Sequence, residues 1–199
     1  KALQCTGSLE FRGVQAQVGE VVAWRNLFWS LTDAMYGNAS EWHGGAFMPS
    51  AEALQAYRVL APQAYPEIKK TIEQVVASGL IYLPSGVRDL HNPQLDKYLS
   101  TYCRGSGGMG HRERIKILKL LWDAIGSEFG GRHELYEINY AGSQDEIRMQ
   151  ALRQAIGSGA MKGMLGMVEQ CMGDYDENGW TVPHLHNPDD INVLDRIRQ

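Results

Sequence analysis

Cysteine is scarce in this chain: Cys5, Cys103 and Cys171 are the only three in 199 residues, and none stands in a CxxC spacing. That argues against a disulfide framework and for free, mostly buried thiols in a reducing compartment. No apolar run approaches the ~18 residues needed to span a bilayer, so no membrane partner is expected. Lys and Arg are scattered among Asp and Glu, with a formal charge of −4. Without a basic face, nucleic acid is not an expected partner either. A charged-then-apolar leader is also missing, so no signal peptide is visible and the cytoplasm is the expected compartment. Strand signals are nearly absent. The initiator Met is missing too: the chain opens Lys1-Ala-Leu-Gln-Cys5 and reads as a piece of something longer.

What is present is helical text. Hydrophobic residues make up 44% of the chain, enough to bury a substantial core at 22.2 kDa. Val18, Val21, Val22, Phe28, Leu31 and Met35 recur at three- to four-residue steps and predict a helix ending near Gly37-Asn38. Trp24 and Trp29 widen it into something buried on more than one side. After a loop from Asn38 to Pro49, Ser50 caps a second helix, which Pro62 and Pro66 are expected to kink or restart before a stop at Gly79. Leu80 to Pro84 reads as a short extended connection, and Asn92-Pro93 starts a short helix through Leu95, Tyr98 and Leu99.

From His111 the spacing Ile115, Leu118, Trp122, Ile125, Phe129 predicts the longest helix of the chain, running towards Gly130. Ser143 starts another through Ile147, Leu152 and Ile156, and Met164, Val168 and Cys171 mark the last. The expected architecture is therefore all-α, one helical bundle over residues 1–199 with 175–199 as an extended polar tail.

The segment Ser127 to Gln144 carries the chemistry that can be argued from spacing. Gly130 and Gly131 have no Cβ, so a ligand or a second backbone can approach them closely. Ser143 with Glu146 forms a capping-box pattern, and an exposed helix start favours phosphate through its N–H groups and dipole. Asp145 and Glu146 oppose this, because negative charge at a helix start competes with an anion. The plainer reading makes the glycines a helix stop and Ser143 a cap.

Other patterns give less. The glycines from Gly105 to Gly110 lack the Lys-Ser/Thr and the preceding strand of a phosphate-binding loop. His184 and His186 stand two apart in a Pro/Asn-rich tail, while His91, His111 and His133 lie in separate segments, so no metal is expected. Glu128, Glu134, Glu137 and Asp145 alternate with Arg132 and Arg148 and read as surface pairing. Met149, Met161, Met164, Met167 and Met172 fall at helical spacings that suit core filling. Tyr140 is an aromatic that could stack on a planar ring.

Long stretches resemble a known family. The run from Arg114 to Arg148, Gly179-Trp-Thr-Val-Pro-His-Leu185, Glu10-Phe-Arg-Gly-Val-Gln15 and Ser78-Gly-Leu-Ile-Tyr-Leu-Pro84 are similar to the C-terminal part of the oxygenase components of 4-hydroxyphenylacetate 3-monooxygenase. These are reduced-flavin-dependent aromatic hydroxylases with an acyl-CoA-dehydrogenase-like fold ending in a helical bundle. The resemblance implies FAD, arriving as FADH2 from a separate flavin reductase, a small phenol hydroxylated to a catechol, and a homodimer or homotetramer. It also implies cofactor contacts at Gly130, Gly131, Ala141, Gly142, Ser143 and Gln144, in part with the flavin of a neighbouring subunit. The residues that grip the phenol fall in a part of the family this chain does not include, so no catalytic residue is assigned.

Within that resemblance one departure matters. Acyl-CoA dehydrogenases often carry Tyr-Glu-Gly-Thr where this chain has Tyr140-Ala-Gly-Ser143, and that Glu can abstract the α-proton. Ala141 has no carboxylate to do so. The reading is thus a hydroxylase; a non-catalytic assembly module and a fragment of an acyl-CoA dehydrogenase or dehydratase relative are the alternatives.

Overall fold

A computed structural model describes residues 1–173, together with the backbone of two short strands at Tyr175–Asp176 and Gly179–Trp180. The expected polar tail, with His184 and His186, otherwise lies outside the described residues. Two compact units are distinguished, Lys1–Ala151 and Leu152–Gln199.

The first unit opens with α1 (Ala2–Thr6) and α2 (Arg12–Gly37). A small antiparallel hairpin follows, β1 (Ser40–Glu41) on β2 (Phe47–Met48), in the stretch expected to be loop. α3 (Ala51–Val76) starts at Ser50, whose hydroxyl accepts from the Ala53 N–H at 3.4 Å. Pro62 and Pro66 do not restart it. They stand one turn apart, so the two missing N–H groups fall on one face, and the helix continues through both. The side-chain Nε2 of Gln63 donates to the Val59 carbonyl at 2.9 Å beside the interruption.

The expected extended connection is instead a 3₁₀ turn at Ala77–Leu80, continued by bonds from Ile81 and Tyr82 N–H to the Ser78 carbonyl at 3.0 and 3.1 Å. Ala77, with φ 48°, is where α3 gives way to it. Next come α4 (Val87–His91) and α5 (Pro93–Tyr102), the latter capped by Asn92, whose side chain accepts from Gln94 N–H at 3.0 Å.

α6 (His111–Ile125) is not the longest helix. It stops at Gly126, and Ser127 begins α7 (Glu128–Asn139), while α2 and α3 have 26 residues each. The apolar spacing in the sequence runs on to Phe129, but Phe129 belongs to α7 and is exposed, whereas Ile115, Leu118 and Ile125 are buried. α8 (Gln144–Gly157) begins in this unit.

The core of the first unit gathers Cys5 of α1, Val76 and Leu80 at the end of α3, and Leu118 and Ile125 of α6. Ile72, Val75, Met109 and Leu121 flank it. Cys5 is the only thiol of the three that is buried; Cys103 is half-buried and Cys171 exposed, all free. Burial pushes the Cys5 thiol above its ordinary pKa, against the opposing field of Arg114.

The second unit holds the end of α8, α9 (Ala160–Gly173) and an antiparallel pair, β3 (Tyr175–Asp176) on β4 (Gly179–Trp180). Two expectations about burial are corrected. α2 buries no residue, and Trp29 is 61% exposed. Met149, Met164, Met167 and Met172 are exposed too, so among the described residues they fill no core. Their helical periodicity is real; the partner for that face is not among the described residues. No helix described is long and apolar enough to cross a membrane.

Candidate functional site

The site suggested by spacing lies at the two ends of α7. At its start, Ser127 joins two helices with one hydroxyl. Its Oγ donates to the Asp123 carbonyl at 2.7 Å and accepts from the Gly130 N–H at 3.1 Å. The Gly131 N–H donates to the Ser127 carbonyl at 2.9 Å. Both amides of the glycine pair are therefore already engaged, and the pair is a helix start rather than a stop.

The two glycines also differ. Gly130 is buried, and a Cβ there would stand 2.8 Å from the Ala124 carbonyl oxygen, so its job is the close turn of α6 into α7. A Cβ on Gly131 would meet nothing within 4 Å. Only Gly131 offers the open backbone that a ligand needs.

At the far end, α7 closes with the Tyr140 N–H on Tyr136 at 2.7 Å and the Gly142 N–H on Asn139 at 3.1 Å. Gly142 has φ +99°, a left-handed conformation in which any side chain would be strained, and a Cβ there would meet nothing within 4 Å. Ser143 then caps α8, its Oγ accepting from the Glu146 N–H at 3.2 Å. The Gln144 side chain folds back to donate to the Ile138 carbonyl at 2.9 Å. Ser143 is exposed at this helix start, while Gln144 is half-buried. Tyr140 stacks on Tyr136 with centroids 4.6 Å apart. Loss of water, then its bond with Tyr140, holds the Tyr136 hydroxyl above its ordinary pKa.

The glycine pair and the Gly142–Gln144 turn are not brought together. A 12-residue helix separates them by ~18 Å, so a ligand touching both would have to lie along α7.

Arg58 is the residue that sequence reading missed. It reaches from α3 to donate to the Ala141 carbonyl at 2.8 Å, and to Gln150 Oε1 at 2.7 Å and Gln55 Oε1 at 3.2 Å. One guanidinium thus ties the turn before α8 to the second long helix. An arginine with no carboxylate within four residues was all the sequence showed, with no pointer to its distant partners. Lys69 performs a second tie, pairing with Glu134 of α7, and that bond raises the pKa of its ammonium. Glu134 is therefore a cross-helix partner, while Asp145 and Arg148 make the expected surface pair at 3.7 Å. No metal-binding group of three His, Cys, Asp or Glu occurs among the described residues.

This geometry can be set beside known proteins. Residues 1–169 match the family model described as HpaB, 4-hydroxyphenylacetate 3-hydroxylase C terminal. The 4-hydroxyphenylacetate 3-monooxygenase oxygenase component of Escherichia coli is 68% identical over 197 residues, covering 99% of this chain and 38% of that protein. The oxygenase component of a 4-nitrophenol 2-monooxygenase from a Rhodococcus species is 46% identical over 194 residues, covering 98% of this chain and 37% of that protein. A crystal structure of a 4-hydroxyphenylacetate 3-monooxygenase oxygenase component complexed with FAD and 4-hydroxyphenylacetate superposes with a TM-score of 0.74 at 26% identity, over 85% of this chain and 36% of that one. The chain thus spans well under half the length of these relatives.

Proposed function

The chain belongs to the 4-hydroxyphenylacetate 3-hydroxylase C-terminal family, and from that premise we propose that it is the C-terminal helical domain of a two-component, FADH2-dependent aromatic monooxygenase. The observation that carries this is the 68% identity to the Escherichia coli oxygenase component over nearly the whole chain. The substrate is 4-hydroxyphenylacetate or a similar phenol, and the product the corresponding catechol. FADH2 comes from a separate reductase, and the enzyme works in the cytoplasm. Residues 1–199 act as one domain of the longer protein.

Bound flavin supplies the activation of oxygen; the protein's part is to hold, orient and keep water out. Among the proposed cofactor contacts, the turn at Ala141, Gly142, Ser143 and Gln144 fits this best. Gly142 and Ser143 are exposed, Gly142 leaves its backbone clear, and the helix start behind it favours a phosphate group. Arg58 positions that turn through the Ala141 carbonyl. Gly131 fits as a place of close approach, whereas Gly130 acts through the bend beside it. Ala141 supports hydroxylation over dehydrogenation, because it puts no carboxylate where a proton would be removed.

The exposed aromatic face of α2 supports a second role in assembly as a homodimer or homotetramer. The test of the flavin reading uses the full-length enzyme. Ser143→Ala and Gly131→Val should each weaken FADH2 binding, the second by steric block. Unchanged affinity in both variants would remove the assignment. Sedimentation of the full-length enzyme as a monomer at tens of micromolar would remove the assembly role.

A further inference from the structure

The glycine-rich stretch after α5 has no part in the reading above, yet it lines the most polar cavity among those described. This cavity, about 520 Å³, lies between Cys5, Thr6 and Ser8, the turn at Ser78 and Gly79, the Arg104–Ser106 segment, and Arg114 of α6. We infer that it is a binding site for an oxyanion, the phosphate or carboxylate group of a ligand.

Two guanidiniums face it, and neither has a carboxylate partner among the described residues. Arg114 is half-buried, with a single long bond to the Cys103 carbonyl at 3.4 Å. A partly desolvated cation without a counter-charge favours an anion beside it. Arg104 stands on the neighbouring loop and is exposed. The hydroxyls of Ser78 and Ser106 add neutral donors to the same lining.

The cradle is built rather than incidental. The Ser106 N–H donates to the Cys5 carbonyl and the Gly105 N–H to the Met109 carbonyl, both at 2.9 Å. The loop carrying Arg104 is thus pinned on both sides. Gly7, at φ +76°, makes room for Ser106: a Cβ there would stand 2.4 Å from the serine Oγ. Glu113, next to Arg114, is the acidic group whose field reaches this region, and it does not pair with either arginine. The cavity sits at the His111 end of α6, away from the bend at Gly130, so this inference stands independently of the flavin reading.

The test titrates inorganic pyrophosphate into the chain while amide resonances are followed. Expected are shifts at Thr6, Gly7, Gly105 and Ser106, an affinity at least about tenfold weaker in Arg104→Gln and Arg114→Gln, and weakening with added salt. Arg104→Gln changes an exposed loop side chain, so it keeps the test decisive if Arg114→Gln unfolds. Shifts confined to Gly142–Glu146, or equal affinity in Arg104→Gln, would overturn the site. The same titration on the full-length protein separates two sources. Retained binding points to a free phosphate ligand; loss of binding there, with binding kept in the short chain, points to a carboxylate supplied by the rest of the protein.

Discussion

The two longest helices have the same length and opposite circumstances. α3 buries Ala53, Ala64 and Val76, ends inside the core, and sends Arg58 and Lys69 across to α8 and α7. α2 has more aromatic residues and buries none of its 26. It meets α3 along one side, with Phe28 edge-on to Tyr57 at 5.0 Å, and leaves Val22 and Trp29 open. Apolar periodicity therefore says that a helix will be covered, without saying by what. For α3 the cover is in this chain; for α2 it is not among the described residues.

The sharpest way to break that contrast is to truncate one side chain on each side of it. Leu118, fully buried under the end of α3, should lose about 2–5 kcal/mol of stability as Leu118→Ala. Trp29→Ala in the same chain should change stability by no more than about 1 kcal/mol. Urea denaturation of the two variants decides it. Equal losses would mean that the face of α2 is already covered.

A second contrast lies within one dipeptide. Gly130→Ala should destabilise by about 1–3 kcal/mol, because its Cβ meets the Ala124 carbonyl. Gly131→Ala, with open space around it inside a helix, should stabilise by about 0.5–1 kcal/mol. Thermal unfolding of both would expose a shared sign, which the geometry forbids.

Smaller still is Arg58→Met, which removes the bonds to Ala141 and Gln150 at an expected loss of about 1–2 kcal/mol. Hydrogen exchange should quicken around Gly142 and Ser143 while the amides of α6 stay protected. Uniform quickening would show that Arg58 holds the unit together generally rather than this turn.

The smallest effect is electrostatic. Asp96 Oδ1 is bonded by the His111 ring at 2.8 Å and by the Arg112 guanidinium at 2.9 Å, and these bonds, the histidine's first, hold the Asp96 carboxyl below its ordinary pKa. A depressed folded pKa stabilises above the ordinary carboxylate range and is lost as pH falls through the lowered value. Asp96→Asn should therefore lower stability at neutral and higher pH, flatten the acid limb of the stability curve, and change little below the lowered value. An unchanged acid limb would count against the pairing.

Much of the helical order was readable because three–four spacing and caps at Ser50, Asn92 and Ser143 are local signals. The break at Gly126 was not. The three–four spacing crosses Gly126 to Phe129 without a gap in the sequence, so one periodic run looked like one helix. Pro62 and Pro66 misled for the opposite reason: a strong local breaker was overridden by packing on both sides of it. At the candidate site, spacing correctly marked an exposed helix start at Ser143 but treated the glycine pair as two alike residues. Their difference depends on how Ala124 approaches Gly130, which is a tertiary fact. Arg58 was invisible because its partners, Ala141 and Gln150, lie more than eighty residues away.

The single hydroxyl of Ser127 has a mechanical meaning. By gripping the last turn of α6 and the first of α7, it makes an elbow whose forearm is α7, ~18 Å long, with the Gly142 turn at its tip. Rotation of about 5° at such an elbow carries the tip roughly 1.5 Å, a displacement of the size that alters reactivity by orders of magnitude when it reaches a reacting centre. Arg58 and Lys69 are then the stays that keep the arm from swinging.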